Sequence, residues 1–165
     1  MKILIVALPR TGSTSLLHRI AEERKLTPIF EPFNQRTEQH RYLPFMEDVV
    51  VKTIINQKPK DIPYQDRIRW ICELVTEFNE VILLSRRDLK GCAESFAYLC
   101  HHWNTRKFKH TESYVWEPSP NLETITQHIL GHDQELKNLS HILNLPITYY
   151  EDLFDPKSAS RLRKE

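Results

Sequence analysis

Apolar positions along this chain alternate between short continuous runs and stripes with helical spacing. Ile3–Leu8 is an unbroken apolar run that stops at Pro9, which predicts a strand buried on both faces. The spacing changes at Thr14, and a helix is predicted from there to about Lys25. Its apolar face consists of Leu16, Leu17, Ile20 and Ala21.

The same alternation continues to the end of the chain. Further apolar runs predict strands at Thr27–Phe30, Asp48–Ile55, Glu80–Ser85 and Pro146–Tyr150. Helices are predicted at Asp66–Phe78, Asp88–Trp103, Leu122–Leu143 (where Gly131 marks a candidate break) and Asp155–Lys164. Polar stretches predict loops at Asn34–Arg41 and Arg106–Pro120. This order predicts an α/β fold, a parallel sheet flanked by helices on both faces, with residues 1–165 forming one domain.

Composition and charge narrow the range of partners. The 165 residues include 23 Lys+Arg and 22 Asp+Glu, so bulk charge does not favour nucleic-acid binding and any anion site must be local. No apolar run is long enough for a signal sequence or a membrane span, which predicts a soluble protein without a membrane anchor. The three widely spaced cysteines argue against a disulfide framework and for the reducing cytoplasm. Cys100-His101-His102 lacks a second ligand pair at zinc spacing, so no metal site is predicted.

The segment between the first strand and the first helix is a candidate anion site. Its sequence is Pro9-Arg10-Thr11-Gly12-Ser13-Thr14-Ser15. Glycine allows a tight turn, the helix N-terminus offers free N–H groups, and the hydroxyls and the arginine add further donors. The segment is not a Walker A loop, because the first glycine and the Gly-Lys-[Ser/Thr] ending are missing. The alternative is an ordinary turn with Ser/Thr caps.

A second candidate follows the strand Glu80–Ser85. Arg86 and Arg87 come directly after this strand, and Ser95 stands eight residues beyond Arg87 in the next predicted helix. An arginine and a serine so placed can bracket one phosphate at the carboxyl edge of the sheet. The alternative is that both arginines are surface charges beside Asp88.

Together these segments resemble the cofactor loops of sulfotransferases that use 3′-phosphoadenosine 5′-phosphosulfate (PAPS). In that family a Pro-(Lys/Arg)-Ser-Gly-(Thr/Ser)-(Thr/Ser) loop holds the 5′-phosphosulfate, and Pro9–Thr14 matches it. An Arg with a Ser eight residues later holds the 3′-phosphate, as Arg87 and Ser95 would here. Tyr150-Glu151-Asp152-Leu153 is similar to a late Tyr-Glu-Asp-Leu of the family, so the resemblance covers residues 3 to about 156.

This resemblance implies a compact P-loop-like sulfotransferase fold and a metal-independent reaction. PAPS would give a sulfuryl group to an acceptor hydroxyl on a carbohydrate, a tyrosine or a small molecule, leaving 3′-phosphoadenosine 5′-phosphate. An arginine in the first loop is closer to the protein-tyrosine and carbohydrate branches of the family. Arg10 through Ser15 (Arg10, Thr11, Gly12, Ser13, Thr14 and Ser15), with Arg87 and Ser95, are the cofactor-binding residues that it implies.

The catalytic base is less direct to assign. Cytosolic members of the family use a His shortly after a Lys-Thr pair, but Lys52-Thr53 is followed here by two isoleucines. The tyrosine-sulfating branch uses a Glu about twenty residues beyond its loop arginine, and Glu31 stands 21 residues after Arg10. We therefore expect Glu31 as the base, with Arg10 and Lys52 as cations on the transferring group. The alternatives are an ordinary strand-end Glu and a surface Lys.

Two departures from the family keep other functions open. No late Gly-rich basic loop is found before Glu165, and Ser15 stands where cytosolic members have a Trp. One alternative is a small P-loop kinase for a nucleotide or metabolite, which would need a Walker lysine and a Mg²⁺-holding carboxylate. The other is a nucleotide-binding module without catalysis. The acceptor is expected near the loop Arg106–Pro120, for which the alternative is an ordinary mobile loop with a few anchoring aromatic residues.

Overall fold

Strand β1 (Lys2–Ala7) lies in the centre of a five-stranded parallel sheet. The structure is a computed structural model that describes residues 1–34, 39–105 and 121–154. The strand order is β2-β3-β1-β4-β5, and every neighbouring pair is parallel. The other strands are β2 (Thr27–Phe30), β3 (Val49–Ile54), β4 (Glu80–Ser85) and β5 (Ile147–Tyr149).

Three of the crossovers between parallel strands contain α-helices. Helix α1 (Ser13–Arg24) links β1 to β2, α2 (Arg67–Leu74) links β3 to β4, and α3 (Leu89–Thr105) and α4 (Leu122–Leu143) link β4 to β5. Helix α5 (Tyr150–Phe154) follows β5. Short 3-10 segments occur at Gln39–Phe45, Tyr64–Asp66 and Val75–Glu77.

Alternation along β1 divides the core between the two faces of the sheet. Leu4 and Val6 pack into the cluster that includes residues of α2 and α4, whereas Ile3 and Ile5 pack into the cluster that includes α1. Residues 3–7 of β1 are fully buried, because both edges of the strand are paired and both faces are covered. The predicted α/β fold, a parallel sheet with helices on both faces, is confirmed.

Several predicted elements differ at their ends. The predicted helix Asp66–Phe78 is α-helical only over Arg67–Leu74 and tightens into 3-10 turns on either side. Part of the predicted loop Asn34–Arg41 belongs to the 3-10 segment Gln39–Phe45. Tyr150 begins α5 instead of ending β5, because the pairing with β4 stops at Tyr149.

The candidate break at Gly131 is wrong, because α4 runs without interruption from Leu122 to Leu143. The helix is anchored on either side of Gly131 by the buried residues Ile129 and Asp133. The predicted elements Arg106–Pro120 and Asp155–Lys164 lie outside the described residues. Within the described part, no helix has the length and hydrophobicity needed to span a membrane.

Candidate functional site

The β1–α1 loop turns sharply at the carboxyl edge of the sheet. Arg10 and Gly12 both have positive φ angles, 62° and 71°. Thr11 is fully buried, and its hydroxyl donates a hydrogen bond to the Leu8 carbonyl at 2.9 Å. Thr11 therefore shapes the turn, while Ser13 begins α1 and starts its row of free N–H groups.

Gly12 is required here for two reasons. Its φ of 71° is one that residues with a Cβ rarely adopt. A Cβ on Gly12 would also lie 2.5 Å from Cδ2 of Tyr150, so the ring of Tyr150 packs directly on the loop backbone. Tyr150 is in turn stacked on Phe154, with 4.7 Å between ring centroids. The late tyrosine of the sequence motif thus covers the first loop.

A cavity of about 550 Å³ opens at this edge of the sheet. Three cations (Arg10, Lys52 and Arg86) and one carboxylate (Glu31) line it, so the lining carries an excess of two positive charges. Such a balance favours an anionic ligand. The other lining residues are Pro9, Gly12, Ser13, Thr14, Ser15, Asn34, Ile54, Asn56, Gln57, Ser95, Phe96, Leu99 and Tyr150.

Most of the residues expected from the sequence meet in this cavity. Arg10, Gly12, Ser13, Thr14, Ser15, Glu31, Lys52 and Ser95 all line it, whereas Thr11 and Arg87 do not. Nε of Arg10 donates to Oγ of Ser95 at 2.9 Å, which joins the first loop to α3. Sγ of Cys92 on α3 contacts the Pro9 carbonyl at 3.0 Å, a second link between the same elements.

The two arginines after β4 have different surroundings. Arg87 forms a bidentate pair with Asp152, with both N–O distances 2.7 Å, and its guanidinium lies 4.4 Å from the Tyr149 ring centroid. The hydrogen bonds and charge of Asp152 raise the pKa of Arg87 above its ordinary value. Arg87 therefore holds α5 against the end of β4, and its placement differs from the expected contact with a cavity phosphate.

Arg86 is the arginine of this pair that lines the cavity. Its Nε is buried and has no hydrogen-bond partner within the described ranges, and the carboxylates of Asp88 and Glu151 stay 3.8 Å from its nitrogens. The guanidinium is 5.3 Å from the Tyr150 ring centroid. Of the two arginines, Arg86 is therefore the one able to meet a ligand in the cavity.

Lys52 and Glu31 form an ion pair on the other side of the cavity. Lys52 lies within β3, opposite Phe30 at the end of the neighbouring strand β2, and Glu31 follows Phe30 directly. Nζ of Lys52 lies 2.6 Å from Oε1 of Glu31. Lys52 is only 5% exposed and also donates to Oγ1 of Thr14 at 3.1 Å. The pair therefore connects the candidate base to the first turn of α1.

The surroundings of Glu31 keep it ionised. Burial by itself would raise the pKa of this carboxyl, but the hydrogen bond and charge of Lys52, with hydrogen bonds from Gln57 and Asn34, lower the pKa below its ordinary value. Glu31 is thus a carboxylate near neutral pH and can accept a proton, although its basicity is reduced.

Sequence reasoning missed several lining residues. Asn56 and Gln57 follow β3 just as Glu31 follows β2, so their position after a buried strand was the available signal. Tyr150 was noticed only as part of a motif, and its contact with Gly12 had no local signal. Across residues 1–34, 39–105 and 121–154, no group of three or more His, Cys, Asp or Glu residues is arranged to hold a metal ion.

Comparison with known proteins adds little to this geometry. No family model matches the chain, and no curated protein matches it. One solved structure with a similar fold is the YorR protein of Bacillus subtilis in complex with phosphorylated GDP. The two chains are 10% identical, the match covers 99% of this chain and 94% of that chain, and the TM-score is 0.48. Similarity at this level says nothing about the ligand or reaction of this chain.

Proposed function

We propose that this protein is a PAPS-dependent sulfotransferase acting on an acceptor hydroxyl, with a compact P-loop-like architecture. One observation carries the proposal: the first loop, Ser95 of α3 and the Glu31–Lys52 pair line a single cavity with excess positive charge. These groups were expected from the sequence to serve the same reaction, and they come from distant parts of the chain.

The residues present suit the two anionic groups of PAPS. The 5′-phosphosulfate would accept hydrogen bonds from the free N–H groups of α1, from the hydroxyls of Ser13 and Thr14, and from the guanidinium group of Arg10. Arg86 lines the cavity and supplies a further cation. It would therefore bind the 3′-phosphate, the role that the sequence suggested for Arg87. PAPS would supply the sulfuryl group and leave as 3′-phosphoadenosine 5′-phosphate.

The chain's own residues would then handle the acceptor proton and the developing charge. Glu31, held as a carboxylate, accepts the proton of the acceptor hydroxyl, a role worth about 10²–10⁴-fold in rate. Arg10 and Lys52 stabilise negative charge on the transferring group and the leaving phosphate oxygen. Positioning of both partners by the cavity supplies the rest of the rate.

The test is sulfuryl transfer from ³⁵S-labelled PAPS to a panel of sugars, phenols and tyrosine peptides in EDTA. The proposal predicts labelled product from at least one acceptor and its loss in Glu31→Gln. Glu23→Gln, an exposed α1 carboxylate paired with Arg19, is the matched control and keeps wild-type turnover. Transfer of phosphate from ATP with Mg²⁺ and none from PAPS would replace this proposal with a kinase. Binding of PAPS without transfer to any acceptor would show that the protein is a nucleotide-binding module without catalysis.

A further inference from the structure

Gln57 has an amide group whose orientation is fixed by its surroundings. Its Oε1 accepts hydrogen bonds from the backbone N–H of Ile54 at 3.1 Å and from the hydroxyl of Thr53 at 3.3 Å. A backbone N–H can only donate, so the oxygen of the amide must face it. The NH₂ group is thereby directed at Glu31, where Nε2 donates to Oε2 at 2.7 Å.

The backbone of Gln57 is anchored at the same place. Its N–H donates to the Ile54 carbonyl at 2.8 Å, in the turn that follows β3. Backbone and side chain are therefore both tied to the end of a fully buried strand. A fixed Gln57 amide in turn restricts the orientation of the Glu31 carboxylate, to which its NH₂ group donates.

Glu31 needs such support, because it lies in a turn with φ of 40° just after the edge strand β2. Lys52 holds one carboxylate oxygen, Gln57 holds the other, and Asn34 adds a third hydrogen bond. A carboxylate offers about four lone-pair positions, so about one remains for a reacting hydroxyl. Lys52, the charged group in contact with Glu31, is itself held by Thr14 of α1.

We infer that Gln57 is a positioning residue that fixes the Glu31 carboxylate against Lys52, in the orientation from which Glu31 accepts the proton of the acceptor. The inference rests on the proposed function. It extends that function by a chain of contacts from the end of β3 through Gln57, Glu31 and Lys52 to Thr14 in the cofactor loop. In this scheme Gln57 contacts neither the acceptor nor the transferring group and acts only through the Glu31 carboxylate.

The experiment compares Gln57→Met, which keeps the size of the side chain and removes both polar atoms, with Gln57→Glu, which places a carboxylate beside Glu31. Gln134→Met, at an exposed glutamine of α4 that pairs with Asn138, is the matched control. The measurements are thermal unfolding, affinity for 3′-phosphoadenosine 5′-phosphate, the pH profile of kcat for sulfuryl transfer, and titration of ¹³C-labelled glutamate carboxyls by NMR. Glu31→Gln identifies the Glu31 signal by its disappearance.

A positioning role predicts a loss of kcat of about ten- to a hundred-fold in Gln57→Met, with nucleotide affinity within about twofold of wild type. The pKa of Glu31 rises, because a hydrogen bond to its ionised form is lost, and the acid limb of the kcat profile moves to higher pH. Gln57→Glu raises the pKa of Glu31 further, and Gln134→Met changes neither quantity.

Two results separate the failure of this inference from failure of the proposed function. If the wild type transfers sulfuryl groups and Gln57→Met keeps both the wild-type kcat profile and the Glu31 pKa, the positioning role is refuted and the sulfotransferase stands. If the wild type transfers none from PAPS, the proposed function falls and this role falls with it.

Discussion

The contact between Gly12 and Tyr150 gives a prediction that can be worked out from the structure. Gly12→Ala places a methyl group on a residue with φ of 71°, which costs about 1–2 kcal/mol for a side chain in the left-handed region. The new Cβ would also lie 2.5 Å from Cδ2 of Tyr150, well inside the roughly 3.5–4.0 Å of a normal carbon contact.

Tyr150 cannot withdraw freely, because its ring is stacked on Phe154. Overpacking of this kind costs about 1–3 kcal/mol. The two effects together predict a loss of about 2–5 kcal/mol of unfolding free energy in Gly12→Ala. For a chain of this size the melting temperature should fall by at least about 4 °C.

Gly131→Ala is the matched control, because the same substitution there should have the opposite effect. Gly131 is exposed within α4, and no atom lies within 4 Å of where its Cβ would stand. Alanine is the better helix former by about 1 kcal/mol, so this variant should melt about 2–4 °C above the wild type. Both are measured by chemical and thermal denaturation.

A double-mutant cycle with Tyr150→Ala divides the Gly12 effect into its two parts. Removing the ring should relieve the steric cost, so the two substitutions should couple by about 1–3 kcal/mol, and the backbone cost should remain. Wild-type stability in Gly12→Ala, or a loss with no coupling to Tyr150, would refute this account of how the loop is packed.

Three further predictions concern the cavity. Calorimetry should show that Arg86→Ala weakens binding of 3′-phosphoadenosine 5′-phosphate about ten- to a hundred-fold and that Arg87→Ala changes it by less than about twofold. The reverse order of effects would show that Arg87, and not Arg86, binds the second phosphate. Lys52→Met should raise the pKa of Glu31, because burial then acts without the lysine's hydrogen bond and charge, and an unchanged NMR titration would contradict the ion pair. Because folding lowers the pKa of Glu31, ionised Glu31 stabilises the folded wild type, and this contribution to the free energy of unfolding should be lost as the pH falls below the ordinary glutamate pKa of about 4.3. Acid denaturation of Lys52→Met should not show this loss of stability.

The sequence indicated those elements whose pattern is dictated by local burial. The bounds of β4 and α4 were predicted without error, since each has a clear apolar pattern. Those of β2 were also right, although this four-residue edge strand is mostly exposed. The break at Gly131 was wrongly predicted from residue type alone, because helix propensity is weak against a helix already anchored on both sides. The strand order is set by long-range pairing, and no local pattern contains it.

The candidate site divides in the same way. Arg10 and Glu31 were identifiable because each stands just beyond the end of a predicted strand, where parallel sheets bind ligands. Lys52 lies within the predicted strand Asp48–Ile55 and was identifiable only through the Lys52-Thr53 pair. The sequence did not show whether Arg86 or Arg87 faces the cavity, because this depends on the pairing of Arg87 with Asp152, 65 residues further along the chain. Gln57 was missed for a similar reason, since its role lies in a side-chain contact across two strands.

The most direct test of the central claim is a calorimetric titration of the wild type and Arg10→Ala with 3′-phosphoadenosine 5′-phosphate, AMP and ATP. A bisphosphate site built on the β1–α1 loop predicts binding of 3′-phosphoadenosine 5′-phosphate in EDTA, much weaker binding of AMP and ATP, and a clear loss of affinity in Arg10→Ala. No binding of 3′-phosphoadenosine 5′-phosphate, or a preference for ATP once Mg²⁺ is added, would contradict it.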